Sequence, residues 1–330
     1  MSSPRDAASA SAPSGAATEN RQAQTVLRVA VGIASAGRPG VLEQTVGHLI
    51  DILPRDTPIF VCVPDMQDAG HLAQASQVSL LVGRRGLTHQ RNAILQAAVG
   101  RSDLLVFFDD DFIPDALYLQ TMSQAFNDHP DIVIATGNVL ADGILDLPLT
   151  MDDAAAALAQ PHRASGEITP VYNAYGCNMA LRLQPVERNA LQFDESLPLY
   201  AWLEDVDFSR AIASHGRSVK VMDAVGVHLG VRSGRQPGLR LGYSQIANPV
   251  YLSRKGTMAT GRATAQIARN ILANIRGVAL FDRAIDRRGR LQGNVLGLIE
   301  LVLGRLSPLR VLKFSPRGAS TPSEMSRTTP

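Results

Sequence analysis

The chain has 330 residues, enough to bury a large hydrophobic core and to form one to three domains. It is 45% hydrophobic and 19% charged, which is typical of a globular protein. The sequence has no run of about 18 apolar residues, so no transmembrane helix is expected. The formal net charge of +2 conceals an asymmetry, because the arginine-rich chain beyond Arg240 holds four acidic residues, Asp282, Asp286, Glu300 and Glu324. This asymmetry predicts a neutral to acidic catalytic body and a basic extension facing an anionic partner.

The first 24 residues are rich in alanine, serine and proline and contain no apolar core of a signal peptide, so we expect a disordered leader. The chain has two cysteines, Cys62 and Cys177, without the spacing of metal ligands. They predict buried free thiols in a reducing compartment, and therefore a cytoplasmic protein.

The first half of the chain alternates predicted strands and helices, separated by short turns that contain glycine or proline. The strands are predicted at 26–34, 57–63, 78–82, 104–108 and 131–136, and the helices at 41–53, 88–99 and 115–128. This alternation predicts β-α-β units and a mostly parallel sheet flanked by helices. The second half is less regular, with predicted helices at 151–162 and about 202–215, predicted strands at 176–182 and 218–222, and a helical pattern from about 240.

Three consecutive aspartates, Asp109 to Asp111, follow the apolar run Leu104–Phe108 and are the most informative local feature. The run predicts a buried parallel strand, so the carboxylates lie at its carboxyl end, where open α/β sheets bind ligands. A divalent cation would relieve their repulsion and use their oxygens as ligands. The alternative is a solvated acidic turn that caps the helix after Pro114.

A second acidic cluster, Glu204, Asp205 and Asp207, lies at the start of a predicted helix. The helix dipole alone favours acids there, but a carboxylate in such a place also suits a general base. Trp202, just before the cluster, offers a flat face for a sugar ring, although a single tryptophan is also a common core residue.

Several isolated residues have two interpretations. His228 lies in an apolar stretch and is either a core histidine or a ligand that completes a Mn²⁺ site. Arg232 and Arg235 lie on a glycine-containing loop that suits a diphosphate, or that is simply solvated. Arg91 lies in the first turns of the helix that leads to the aspartate strand and is either a surface residue or a cationic ligand.

The ordered set of motifs over residues 26–235 resembles the family 2 inverting glycosyltransferases, which have a GT-A-type nucleotide-diphospho-sugar domain. The motifs are A-S-A-G-R-P, G-L-T-H-Q-R-N-A, F-F-D-D-D-F, Y-G-C-N-M-A-L-R, F-D-E-S-L, W-L-E-D-V-D-F-S-R and V-H-L-G. The spacing of F-D-E-S-L and E-D-V-D-F-S-R, about ten residues, makes the set specific.

The resemblance implies roles for individual residues. Asp109, Asp110 and Asp111 match the D-x-D-type motif, in which Asp111 binds the metal (Mn²⁺ or Mg²⁺) and Asp109 lies near the ribose or the metal. Asp205 matches the catalytic base, and His228 matches a metal ligand of some members. Ser35, Arg38, Asp65 and Arg91 match positions lining the nucleotide, and Gly176 and Asn178 match the turn near the acceptor and the donor sugar. Glu204, next to Asp205, is a further candidate for donor binding. The loops at Ser35–Arg38 and Pro64–Asp68 depart from the family pattern, so the base remains open between UDP- and GDP-linked donors.

Residues 262–290 have apolar side chains near helical spacing, and arginines recur every seven residues at Arg262, Arg269, Arg276 and Arg283. With the short apolar run at 295–303, this pattern predicts an interfacial anchor on an anionic membrane. The alternative is a helix packed on the catalytic domain. Nucleic-acid binding is not expected, because no aromatic residues interleave with the basic ones.

We therefore expect a disordered leader (1–24), a GT-A-type glycosyltransferase domain (25–239), a basic helical extension (240–314) and a disordered tail (315–330). The expected activity is metal-dependent transfer of a hexose from a nucleotide-diphosphate donor to a glycan, in particular a lipid-linked glycan of surface or exopolysaccharide synthesis. The alternatives are a nucleotidyltransferase or pyrophosphorylase, which would need a glycine-rich phosphate loop with a lysine, and a non-catalytic sugar-nucleotide-binding module.

Overall fold

A computed structural model describes residues 26–144, 147–161, 164–232, 236–282 and 285–314. The predicted leader, the predicted tail and Arg235 lie outside these described residues. The described strands are β1 (Val29–Ala34), β2 (Ile59–Val63), β3 (Val78–Val82), β4 (Leu104–Asp109), β5 (Phe112–Pro114), β6 (Ile132–Asp142), β7 (Ile168–Pro170), β8 (Asn178–Arg182) and β9 (Arg217–His228). The described α-helices are α1 (Pro39–Ile52), α2 (Leu87–Ala98), α3 (Tyr118–Asp128), α4 (Met151–Leu158), α5 (Leu183–Arg188), α6 (Glu204–Ile212), α7 (Gly238–Lys255), α8 (Thr260–Ala279) and α9 (Arg287–Val302). Short 3₁₀ segments cover Met66–Gln74, Ala213–His215 and Pro308–Lys313.

The nine strands form one sheet in the order β3-β2-β1-β4-β8-β6-β9-β5, with β7 also paired to β9. Strands β1, β2, β3, β4, β6 and β9 point in one direction, and β5, β7 and β8 point in the other. The prediction of a mostly parallel α/β sheet flanked by helices is therefore confirmed. Because β1, β2 and β4 are parallel neighbours, the loops after them leave the same edge of the sheet.

Strand β4 shows why the sheet is buried on both faces. Its side chains alternate, so that Leu104, Val106 and Phe108 pack into the core beneath α1 and α3. Leu105 and Phe107 pack into the opposite core, with residues of α2 and α6. A strand that is buried on both faces needs a continuous apolar run, which is the pattern of residues 104–108.

The predicted amphipathic segment at 262–290 is two helices rather than one. Helix α8 ends at Ala279, and Phe281 then adopts a left-handed backbone conformation with φ of 54°. Helix α9 begins at Arg287, where the Asp286 carboxylate caps it by accepting a hydrogen bond of 2.8 Å from the Gly289 N–H. Among the described helices, none has the length and apolar character needed to cross a membrane.

Glycines form the contact between α7 and α9. A Cβ atom on Gly293 would lie 2.2 Å from the Leu239 carbonyl oxygen, and one on Gly242 would lie 2.0 Å from the Arg290 carbonyl oxygen. Only glycine permits backbones to approach this closely. Beside this seam the buried Asn274 amide donates to Gln245 at 2.8 Å, which ties α8 to α7.

Helix α7 in turn packs on the body of the protein. The Lys255 ammonium lies 2.6 Å from Asp194 and 2.7 Å from Asp207, and the Asn248 amide donates to the Trp202 carbonyl at 2.7 Å. The first helix of the extension is thus held against the second acidic cluster, while α8 and α9 pack mainly on α7.

Candidate active site

The aspartate triplet lies at the carboxyl end of β4, as its sequence context predicts. The three side chains have different surroundings: Asp109 is partly exposed, Asp111 is buried, and Asp110 is fully buried. The triplet therefore does not act as three equivalent ligands.

Asp110 connects the turn after β1 to the turn after β4 through hydrogen bonds. Its carboxylate accepts hydrogen bonds from the Ser35 hydroxyl and the Arg38 guanidinium, and Thr45 donates to its carbonyl at 2.6 Å. Burial raises the pKa of Asp110 to about 7, although the charge of Arg38 opposes this rise. In this structure Ser35, Arg38 and Asp110 satisfy one another, so their first role is to hold these two turns together.

Asp109, Asp111 and His228 form a cluster that could hold a metal ion, since one ligand atom of each lies within 4.8 Å of the others. His228 reaches the cluster because β9 pairs with β5, directly after the triplet. The His228 Nε2 atom lies 3.3 Å from Asp111 Oδ1, and the Val231 N–H donates to Asp111 Oδ2 at 2.8 Å. Two carboxylates and an imidazole form a donor set that suits a divalent cation such as Mn²⁺.

Asp142, which the sequence did not single out, orients His228. The last residue pair in the β6–β9 register is Asp142 with His228, and the His228 Nδ1 atom lies 3.1 Å from Asp142 Oδ1. The Tyr175 hydroxyl donates to the other oxygen of Asp142 at 3.0 Å. Such a carboxylate–histidine pair directs Nε2 toward the metal position.

The charge of His228 fits this arrangement. Burial lowers its pKa, but the hydrogen bonds to Asp111 and Asp142 outweigh burial and raise the pKa to about 10.

Arg91 joins the two acidic motifs. Its guanidinium donates to Glu204 at 2.7 Å, to Asp109 at 3.2 Å and to the Gly176 carbonyl at 2.8 Å. The side chain is 2% exposed, and its guanidinium lies over the ring of Phe107. Because its donors point at protein groups, Arg91 positions both motifs, and contact with a nucleotide remains only a prediction.

The neighbouring acids Glu204 and Asp205 differ in their surroundings. Glu204 is buried against Arg91; burial raises its pKa, and the positive charge of Arg91 opposes that rise. Asp205 is partly exposed, and its carboxylate accepts hydrogen bonds from the Gly176 N–H at 3.2 Å and the Val206 N–H at 2.8 Å. Burial also raises the pKa of Asp205, against the hydrogen bond from Val206. Of the two, Asp205 is the carboxylate that a ligand can reach.

The loop before α6 is strained and carries aromatic side chains. Leu199, Ala201 and Leu203 all have positive φ values, of 61°, 51° and 74°, which is rare for residues other than glycine. Tyr200 is 50% exposed in this loop. Desolvation and the charges of Asp109 and Asp205 raise the Tyr200 pKa above its usual value.

We call the region between the two acidic motifs, which Arg91 joins, the cleft, and the remaining predicted residues have the following places relative to it. Asp65 is exposed after β2, at the sheet edge that also carries Asp109, and caps the 3₁₀ segment by accepting from the Gln67 N–H at 2.9 Å. Asn178 is fully buried and bonded to Thr136, so it supports the cleft from within the sheet. Arg232 follows the Asp111-bound residue Val231, and Arg235 lies outside the described residues.

No protein-family profile and no curated protein sequence matches the chain. Solved structures do share its fold. A mannosyltransferase from Pyrobaculum calidifontis, in complex with GDP-Man and Mn²⁺, has 15% identity and a TM-score of 0.50, covering 86% of this chain and 88% of its own. TarS of S. aureus has 12% identity and a TM-score of 0.53, covering 85% of this chain and 82% of its own. GalNAc-T7 with UDP, GalNAc and Mn²⁺ has 15% identity and a TM-score of 0.51, covering 72% of this chain and 52% of its own. The chain therefore has the GT-A-type fold found in these glycosyltransferases.

Proposed function

We infer that the protein is an inverting glycosyltransferase that moves a sugar, in particular a hexose, from a nucleotide-diphosphate donor to an acceptor hydroxyl. The observation that carries this inference is that two acidic motifs, far apart in the sequence, meet at the buried side chain of Arg91. The first motif offers a divalent-cation site, the second offers a reachable carboxylate, and Arg91 bonds to both. Similar folds bound to GDP-Man with Mn²⁺ and to UDP-GlcNAc support the same donor class.

Asp109, Asp111 and His228 would hold Mn²⁺ or Mg²⁺, with Asp142 fixing the imidazole. When bound, such a cation neutralises the charge that develops on a departing diphosphate. Asp65, at the same edge of the sheet, is the residue we assign to the nucleoside. Arg232, next to the Asp111-bound backbone, is the cation we assign to the diphosphate, and Arg235, three positions further along the sequence, is a second candidate for the same role.

Asp205 is assigned as the general base. Two backbone N–H groups orient its carboxylate, while its neighbour Glu204 is occupied by Arg91. Asp205 takes the proton of the acceptor hydroxyl as the hydroxyl oxygen attacks the anomeric carbon. The bond from that carbon to the diphosphate oxygen breaks on the opposite face, so the configuration inverts and the nucleoside diphosphate leaves.

The acceptor is assigned to the mouth of the cleft, where Tyr175 and Tyr200 are 37% and 50% exposed. Flat aromatic faces bind the apolar face of a sugar ring, so we assign a glycan acceptor to this position. The pathway we propose is cytoplasmic assembly of a lipid-linked glycan for surface or exopolysaccharide synthesis.

The test is a panel of UDP- and GDP-sugars with Mn²⁺, read by release of nucleoside diphosphate. Asp205→Asn should lower kcat by about 10²- to 10⁴-fold, because it removes the base. Mn²⁺ affinity should not change, and the exposed residue Asp56, changed to Asn, is the matched control. Since the Asp205 pKa is raised and the base must be deprotonated, kcat should rise with pH through an apparent pKa above the usual aspartate value.

Near-full turnover by a folded Asp205→Asn variant would contradict the base assignment. Donor binding without turnover by the unmodified protein would favour the binding module. Pyrophosphate release from a nucleoside triphosphate and a sugar phosphate would instead favour a nucleotidyltransferase.

A further inference from the structure

Helix α9 has two unlike faces. One face consists of the buried residues Gly289, Gly293 and Gly297, of which Gly293 and Gly297 lie against α7. The other is apolar and exposed in its C-terminal half, at positions spaced as on one side of a helix. These exposed residues are Val295, Leu298, Ile299, Val302 and Leu303. Since Val302 is 87% exposed, this face has no partner among the described residues.

The end of α8 and the turn after it add further exposed apolar side chains. Leu272 is 65% exposed, Leu280 is 67% exposed and Phe281 is 76% exposed. Phe281 reaches solvent from a left-handed backbone conformation that disfavours residues other than glycine. An aromatic ring held outward by strained backbone is an unusual feature for a helix connection that serves only packing.

Exposed arginines accompany these apolar residues. Arg269 and Arg276 lie on the same side of α8 as Leu272, since they are three residues before it and four after it. Arg288 lies in the first turn of α9, and Arg305 follows the helix. All four are exposed, and no carboxylate in the described ranges lies within salt-bridge distance of them. Residues 260–314 contain ten Arg and Lys and three Asp and Glu, so the surface is basic.

We propose that this surface of α8 and α9, which we call the C-terminal face, rests in the plane of an anionic lipid bilayer. Apolar side chains would enter the headgroup boundary and the arginines would contact lipid phosphates. The proposal is independent of the assigned chemistry, since it requires neither donor nor metal.

Other occupants fit the C-terminal face less well. Residues 1–25 and 315–330 each contain one large apolar residue, Met1 and Met325, so neither segment offers a complementary apolar surface. A symmetric contact with a second copy would place the same patch against itself and bring the arginines of both copies together. Anionic lipid satisfies both the apolar residues and the charges.

Helix α7 links the C-terminal face to the body of the protein. Both α8 and α9 pack on α7, and the Asn248 amide of α7 donates to the Trp202 carbonyl in the loop that carries Tyr200. Helices resting on a bilayer would therefore be joined through α7 to the loop that leads into Asp205.

The test is flotation of the full chain with vesicles of phosphatidylcholine alone or with phosphatidylglycerol, at low and high salt. The chain should bind the anionic vesicles at low salt and be released at high salt. Val302→Glu with Leu303→Glu should weaken vesicle partitioning by at least about tenfold. The matched control is Leu117→Glu with Leu147→Glu, two exposed leucines on the body with the same change in charge.

A second pair of variants separates charge from insertion. Arg269→Gln with Arg276→Gln should weaken binding to anionic vesicles, whereas Arg55→Gln with Arg101→Gln, exposed arginines of the body, should not. Equal binding to neutral and anionic vesicles, or equal losses in the variant and control pairs, would overturn the proposal. A dimer in sedimentation velocity that Val302→Glu with Leu303→Glu dissociates would also overturn it, because the occupant would then be a second copy.

Discussion

Changing Arg91 to Met tests whether one buried cation holds the two acidic motifs together. Arg91 donates to Glu204 at 2.7 Å and to Asp109 at 3.2 Å. Methionine keeps much of the volume but leaves Glu204, whose side chain is 6% exposed, as a buried carboxylate without its counter-ion. The Asp109 side chain is 29% exposed and can be hydrated instead. Breaking a buried pair from one side lowers the free energy of unfolding by about 3–5 kcal/mol.

The measurement is equilibrium urea unfolding at pH 7 in EDTA, followed by circular dichroism. Arg28→Met is the control, because the Arg28–Asp103 pair of 2.9 Å lies at the surface and its loss should be too small to resolve. Adding Glu204→Gln to Arg91→Met should recover part of the lost stability, since the uncompensated charge is then removed. If Arg91→Met unfolds like Arg28→Met, or if Glu204→Gln makes it less stable still, Arg91 is not the counter-ion we describe.

Two further changes test other parts of the structure. Asp142→Ala should weaken Mn²⁺ binding by about 10- to 100-fold in calorimetry, because His228 loses the carboxylate that orients it. The control variant Asp152→Ala, at an exposed position, should bind Mn²⁺ with unchanged affinity. Unchanged affinity of the Asp142→Ala variant would show that His228 is not a metal ligand oriented by Asp142. Gly293→Leu should lower the free energy of unfolding by about 1–3 kcal/mol, because a Cβ atom at position 293 would lie 2.2 Å from the Leu239 carbonyl oxygen. Gly47→Leu, where nothing lies within 4 Å of the added Cβ, should not, and equal stability of the two variants would mean that α7 and α9 can move apart freely.

The sequence predicts the central strands well because their signal is local. A continuous apolar run followed by aspartates predicts both the burial of β4 and the place where its acids emerge. The break between α8 and α9 was not predicted, although Asp286 ahead of Gly289 is a local capping signal. The glycines at 289, 293 and 297 also indicate a separate helix, since their four-residue spacing places them on one helix face, where they permit close packing.

The support of the metal site is not local and could not be predicted in the same way. Asp142 and His228 are 86 positions apart and meet because β6 and β9 pair in a register interrupted by three irregularities. The register of this strand pair cannot be deduced from the spacing of residues in the sequence. Arg91 illustrates the same limit, because its motif marks a cation near the cleft but does not show whether its donors face a ligand or the protein.

The loop from Pro198 to Leu203 explains how the extension can matter for chemistry at Asp205. Three of its residues other than glycine have positive φ, and each costs about 1–3 kcal/mol, so the surrounding structure must hold the loop in place. On one side the Leu87 N–H donates to the Leu199 carbonyl at 2.8 Å, and on the other Asn248 of α7 donates to the Trp202 carbonyl at 2.7 Å. The second of these contacts comes from the basic extension. The loop runs directly into Glu204 and Asp205 at the start of α6. The extension therefore helps to position the assigned base Asp205, in addition to presenting the C-terminal face.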